Sequence, residues 1–170
     1  MSWFPTRPTL PFALAAPVAL AVYALPASAQ LPLEPASPVG ALDGPNAVLF
    51  ADLDRDGDLD AVVARGPDGT QGGIVFFTFD AGSWGSAQTI DGSFDFAKDL
   101  VAVDLDRDGD LDVAAVSFQD DQLAWWENLS GDASSWSGTR IIDGAADGAV
   151  ALAAGDIDGD GDPDLVACLR

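Results

Sequence analysis

Three copies of one nine-residue acidic loop recur in this chain at a constant interval. They are Asp52-Leu53-Asp54-Arg55-Asp56-Gly57-Asp58-Leu59-Asp60, Asp104-Leu105-Asp106-Arg107-Asp108-Gly109-Asp110-Leu111-Asp112 and Asp156-Ile157-Asp158-Gly159-Asp160-Gly161-Asp162-Pro163-Asp164. The first aspartates stand at 52, 104 and 156, so both intervals are 52 residues. A fixed period of that size restricts the chain to repeat architectures. Each unit is then one supersecondary module that buries its apolar face only against a neighbour.

The period aligns more than the loops. Trp84 falls on Trp136, Ile90 on Ile142, Asp91 on Asp143 and Gly92 on Gly144. Between these markers lie short runs rich in Val, Ile, Phe and Trp, bounded by Gly, Asp and Ser, a pattern of strands. In the first unit the runs are 46–51, 59–64, 73–79 and 86–90; in the second they are 99–103, 111–117, 122–129 and 138–142. Five to seven residues between loops leave no room for a stable helix, even in the Ala/Val-rich 111–117. Four strands per unit predict an all-β chain of antiparallel propeller blades. The expected repeats are 46–97, 98–149 and a partial third over 150–170, with 30–45 a linker or the strand by which the chain enters the repeats. Closing a propeller takes at least about four blades. The expectation is therefore a part of a larger propeller, completed by further blades or by self-association.

Each loop offers oxygen where a hard divalent cation needs it. Calcium takes six to eight oxygen ligands from carboxylates, carbonyls and water. Side chains at positions 1, 3, 5 and 9 and the carbonyl at position 7 can converge in a loop that closes on itself. In the first loop these are Asp52, Asp54, Asp56, Asp60 and the Asp58 carbonyl, with equivalents in the other two. Gly57, Gly109 and Gly161 at position 6 permit the sharp turn. An EF-hand requires Glu at position 12, where this chain has Val63, Ala115 and Ala167. Magnesium prefers a stricter, more hydrated octahedron, so about three calcium ions are expected.

Composition supports a localised ionic role. The chain carries 28 acids against seven bases, a net charge of −21, and five acids of every loop belong to the motif. Such a field disfavours nucleic acid and anionic membranes as partners. The absence of His removes the commonest general base, and the lone Cys168 in an apolar run reads as a small hydrophobe. Residues 1–29 read as a signal peptide. Arg7 supplies the positive region, 12–25 the apolar stretch, and Ala27-Ser28-Ala29 the cleavage site before Gln30. The apolar run is shorter than the roughly 20 residues of a membrane span and contains Pro17. The mature chain is thus expected to be secreted, periplasmic or at the cell surface, where calcium is abundant.

The D-x-D-x-D-G-D-x-D loop between two strands, followed by an aromatic strand and a Phe-Gly-like dipeptide, resembles the FG-GAP/VCBS repeat, known also from integrin alpha propellers. Trp84-Gly85 matches the dipeptide, Trp136-Ser137 matches it more loosely, and Ala124-Trp125-Trp126-Glu127-Asn128 is similar to the aromatic-Glu-Asn strand of secreted bacterial members. The resemblance covers 46–170. It implies calcium-binding blades that serve adhesion, ligand binding or scaffolding without catalysis, with a protein or glycan as partner. The alternatives it leaves are a non-catalytic part of a longer secreted hydrolase or lyase, or a lectin-like propeller.

Several residues invite a sharper reading. Trp125 and Trp126 could stack on sugars, but neighbours on a strand point to opposite faces, and core packing is favoured for both. Trp84 and Trp136 recur at the period and read as packing residues. Asn128-Leu129-Ser130 is a glycosylation sequon by pattern alone, and Arg65-Gly66-Pro67-Asp68 reads as a turn.

Overall fold

The computed structural model describes residues 19–22, 37–66 and 72–170. The described residues form fourteen strands: β1 Ala19–Val22, β2 Ser37–Ala41, β3 Pro45–Ala51, β4 Asp60–Arg65, β5 Gly73–Phe77, β6 Phe79–Asp80, β7 Ser83–Trp84, β8 Gln88–Asp91, β9 Ala97–Val103, β10 Asp112–Ser117, β11 Gln122–Trp126, β12 Arg140–Asp143, β13 Ala151–Gly155 and β14 Asp164–Cys168. Two four-stranded antiparallel sheets form, β3-β4-β5-β8 and β9-β10-β11-β12, and β13 pairs with β14 in the same sense. These are two propeller-type blades and the inner strand pair of a third. The leading strands β3, β9 and β13 lie side by side along one edge of the stack.

The blades stack because their strands are apolar on both faces. In β10, Val113 and Ala115 join the core shared with the first blade, while Ala114 and Val116 join the core shared with the third. In β11, Ala124 and Trp126 face the first blade and Leu123 and Trp125 the third. This is the two-residue alternation of a pleated strand used to bury both faces. The first blade does the same: Val62, Ala64, Ile74 and Phe76 face the second blade, and Val63, Val75 and Phe77 pack with Val39 of β2 and Leu42 just after it. A central blade therefore reads as an almost continuous apolar run rather than an alternating one.

Both tryptophans of the pair are packing residues. Trp126 is fully buried, edge-on to Phe94 at 5.0 Å between ring centroids, and its indole N–H donates to Asp91 Oδ2 at 3.1 Å. Trp125 packs on the other face with the Arg140 guanidinium 4.9 Å from its ring. Asp91 also accepts from Thr139 Oγ1 at 2.5 Å, so a carboxylate ending β8 of the first blade is held by two side chains of the second.

The 52-residue period conceals two compensating length changes. Strand β5 aligns with β11 at an offset of 49, because the β4–β5 connection is three residues longer than its β10–β11 counterpart. The second blade recovers those residues in its outer hairpin. In the first blade β6 and β7 pair Phe79 with Trp84 across a tight turn in which Ala81 and Gly82 both have positive φ, the signature of a type I′ turn. In the second the corresponding bridge joins Asn128 to Trp136. Gly85 N–H donates to the Thr78 carbonyl at 2.8 Å, and Ser137 N–H donates to Glu127 in the same way at 2.9 Å. A Cβ on Gly85 would lie 2.8 Å from Thr78 Oγ1, which accounts for glycine there, whereas Ser137 uses its Oγ to accept from Glu127 N–H.

Most of the expected signal peptide, including Ala27-Ser28-Ala29, lies outside the described residues, as do Pro67 and Asp68 of the expected turn. Of the apolar stretch, Ala19–Val22 is described and pairs as β1 with β2. Among the described residues no helix is long and apolar enough to cross a membrane.

Candidate metal centre

Each acidic loop connects the first two strands of a blade, β3–β4, β9–β10 and β13–β14, so all three occupy equivalent places. Local hydrogen bonding folds them alike. The position-6 N–H donates to the position-1 carboxylate: Gly57 to Asp52 at 3.2 Å, Gly109 to Asp104 at 3.0 Å and Gly161 to Asp156 at 3.1 Å. Asp54, Asp106 and Asp158 each accept from the backbone two residues on, as do Asp56, Asp108 and Asp160. These Asx-turns explain why Asp rather than Glu fills the motif, since the short side chain reaches its own backbone. Gly57, Gly109 and Gly161 have φ of 94°, 96° and 91°, which is the conformation the sharp turn needs.

The position-9 aspartate ties the loop to the sheet. Asp60 is fully buried and accepts from Leu53 N–H at 3.0 Å and Phe79 N–H at 2.9 Å. Asp112 is also fully buried and accepts from Leu105 N–H at 2.9 Å and Asn128 N–H at 3.0 Å. In the third loop Asp164 makes the first of these bonds, to Ile157 at 2.8 Å.

Carboxylate oxygens converge within 4.8 Å of one another from Asp52, Asp54 and Asp60 in the first loop, Asp104, Asp106 and Asp108 in the second, and Asp156, Asp158 and Asp164 in the third. Positions 1 and 3 contribute throughout, joined by 9 or by 5. Asp56, Asp112 and Asp160 stand outside these tightest groups. The position-7 side chains of Asp58, Asp110 and Asp162 are also outside these groups, and those of Asp110 and Asp162 pair with arginines instead.

The loops differ in what their carboxylates lack. Asp52 Oδ1 and Asp104 Oδ1 are buried with no hydrogen-bond partner among the described residues, and so is Asp110 Oδ1. A buried, unpartnered carboxylate oxygen is costly, and a cation is its natural complement. In the third loop Asp156 is exposed, and its Oδ1 accepts from Gly159 N–H at 2.8 Å. The donor set, all hard oxygen, and the two orphaned oxygens fit a calcium-type ion.

The electrostatics carry the same strain. Desolvation, reinforced by neighbouring aspartates and opposed by backbone donors, holds Asp54, Asp60 and Asp112 above the ordinary carboxylate range. Asp110 is pushed up to about 6 by burial and then by its hydrogen bond and charge contact with Asp108, against the pull of Arg55. Asp108 is held low, chiefly by the Asp110 backbone N–H.

Four contributors to this region are not evident from the loop motif. Arg55 and Arg107 at position 4 sit at φ of 62° and 65°, and each pairs with an aspartate of the following loop, Asp110 and Asp162 respectively. Asn128 is fully buried: its Nδ2 donates to the Leu53 carbonyl at 3.0 Å and its Oδ1 accepts from Gly131 and Ala133 N–H at 3.1 Å each. Gly131 lets the backbone lie against Asp110, since a Cβ there would be 2.6 Å from Asp110 Oδ2. The signal for the arginines was present in the repeat: the same residue type at position 4 in two loops, with Gly159 in the third at the same left-handed conformation. Asn128 carried its sequon and its place in the aromatic-Glu-Asn strand, neither of which pointed to the loops, and burial of the whole side chain closes it to a glycan.

The family profile described as the FG-GAP-like repeat matches residues 52–115 and again 104–167. Each match runs from one acidic loop through the strand after the next, and together they span 52–167. No curated protein and no solved structure matches the chain.

Proposed function

Because this chain belongs to the FG-GAP-like repeat family, we propose that it is a secreted, calcium-binding propeller segment whose blades present a surface for binding or adhesion and carry no catalysis of their own. The observation behind the calcium reading is the pair of buried, partnerless oxygens, Asp52 Oδ1 and Asp104 Oδ1, inside loops where three carboxylates already converge. When bound, a calcium ion supplies the positive charge that lets these carboxylates stay ionised together. The chain's own residues do the rest. Positions 1, 3, 5 and 9 present oxygens, position 6 turns the backbone, and Asp60 and Asp112 transmit the loop's geometry to the strands. The ion's work is structural: it joins the ends of two strands whose side chains form the inter-blade core.

Isothermal titration of the protein with calcium tests this reading. Binding at about three sites, in the ~10⁻⁴–10⁻³ M range of extracellular modules, is expected. The absence of heat and of thermal stabilisation at several millimolar calcium would remove it. A protein or glycan partner fits a non-catalytic repeat surface, and affinity capture from an extracellular milieu with and without chelator reads whether the surface needs the ion.

A further inference from the structure

We infer that Arg55 and Arg107 are positioning residues for the acidic loop of the next blade, so that the second and third ion sites are each supported across a blade boundary. The inference rests on the calcium reading above and deepens it. Arg55 belongs by sequence to the first loop, yet its guanidinium lies 3.5 Å from Asp110 Oδ2, position 7 of the second loop. A Cβ built on Gly109, position 6 of that loop, would lie 3.9 Å from the same guanidinium. Arg107 repeats the arrangement one blade on, paired with Asp162 at position 7 of the third loop. Position 4 of one loop thus holds position 7 of the following one in both available cases.

Position 7 is the residue whose backbone carbonyl would serve as a ligand, so a contact that fixes its side chain limits the freedom of that residue. Asp110 is buried beside Asp108, and its Oδ1 has no partner. Gly131 closes over the pair: a Cβ there would meet Asp110 Oδ2 at 2.6 Å and an Arg55 Nη at 3.3 Å. Without the guanidinium this mostly buried carboxylate would face Asp108 with no counter-charge. With that anchor lost, Asp110 would be free to leave its buried position and the turn at position 7 would be held less tightly. Arginine suits the task because its planar fork fixes direction as well as charge. The first loop's Asp58 is exposed and makes no such pair among the described residues, and the third loop has Gly159 in place of the arginine.

Site-resolved titration tests this. The amides of Gly57, Gly109 and Gly161 each donate within one loop, so their NMR shifts during a calcium titration of the ¹⁵N-labelled protein report the three sites separately. Arg55→Gln is expected to weaken the Gly109 curve several-fold and leave the Gly57 curve within about twofold. Arg107→Gln, an exposed change that leaves the core intact, is expected to move Gly161 and not Gly109. Arg55→Lys restores charge without the fork and is expected to recover only part of the loss. Effects confined to the mutated loop, tighter binding at the following loop, or no effect at any loop overturn the inference while leaving the calcium reading standing. No calcium-dependent shift at any of the three glycines overturns both.

Discussion

The side-chain amide of Asn128 donates to the main-chain carbonyl of Leu53, 75 positions earlier, across 3.0 Å of fully buried space. Leu53 is position 2 of the first acidic loop, and Asn128 N–H in turn binds Asp112, the closing carboxylate of the second. One residue therefore lashes two loops in adjacent blades to each other.

Replacing Asn128 with Ala is expected to cost on the order of 2–4 kcal/mol, because the Leu53 carbonyl and the Gly131 and Ala133 amides all lose a buried partner. Chemical denaturation measures it. The same burial predicts that expression in a glycosylating host leaves the sequon unmodified, which intact-mass analysis checks.

Gly131→Ala is expected to destabilise by about 1–2 kcal/mol or more, since φ is 67° and the new methyl would press on Asp110. Gly138→Ala is the control: nothing lies within 4 Å of its Cβ direction. Similar losses in both variants would show that the approach to Asp110 is unimportant.

Calcium is expected to raise the melting temperature steeply relative to EGTA, with magnesium a poor substitute. A ligand that binds only the folded state stabilises by RT ln(1 + [L]/Kd), about 1.4 kcal/mol per site at ten times Kd. Three such sites supply about 4 kcal/mol, a large share of a small domain's margin. Superimposable melts in calcium and chelator would leave the loops without a structural ion.

Asp104→Ala removes a buried oxygen with no partner of its own together with the acceptor for Gly109 N–H. It is expected to abolish the second site. The first keeps its own convergent set, Asp52, Asp54 and Asp60. Calcium stoichiometry falling by about one is the readout.

The calcium-free protein is expected to gain stability as pH falls from neutral. Asp54, Asp60, Asp110 and Asp112 have folded pKa values above 3.8, so their ionisation disfavours the folded state. That penalty is complete above their folded values, about 6 for Asp110, and vanishes as pH approaches the unfolded value. Below that value the groups held low, Asp91, Asp108 and Asp132, lose their stabilising contribution, Asp132 down to about 2. Melts in EGTA at about pH 7.5 and about pH 5 should therefore favour the lower pH. With saturating calcium the order should reverse, because protons displace the ion.

The sequence by itself determined the blades, the placement of the loops and the residue types at the site. Periodicity, strand-length apolar runs and Asx-turn chemistry are all local, and an Asp at position 1 reaches the Gly at position 6 whatever the rest of the chain does. What only the tertiary structure decided is everything that crosses a blade boundary. Trp126 turned to Asp91, Asn128 to Leu53 and Arg55 to Asp110 over separations that no local rule connects. The third apolar runs, 73–79 and 122–129, already stood 49 rather than 52 residues apart, but that the outer hairpin restores the difference was settled only by the strand pairing. The physical reason is that a blade with two apolar faces has no preferred partner on its own. Stacking fixes which oxygens are buried and which lack donors, and so separates two loops with an orphaned first carboxylate oxygen from a third whose first carboxylate is exposed and bonded to its own backbone.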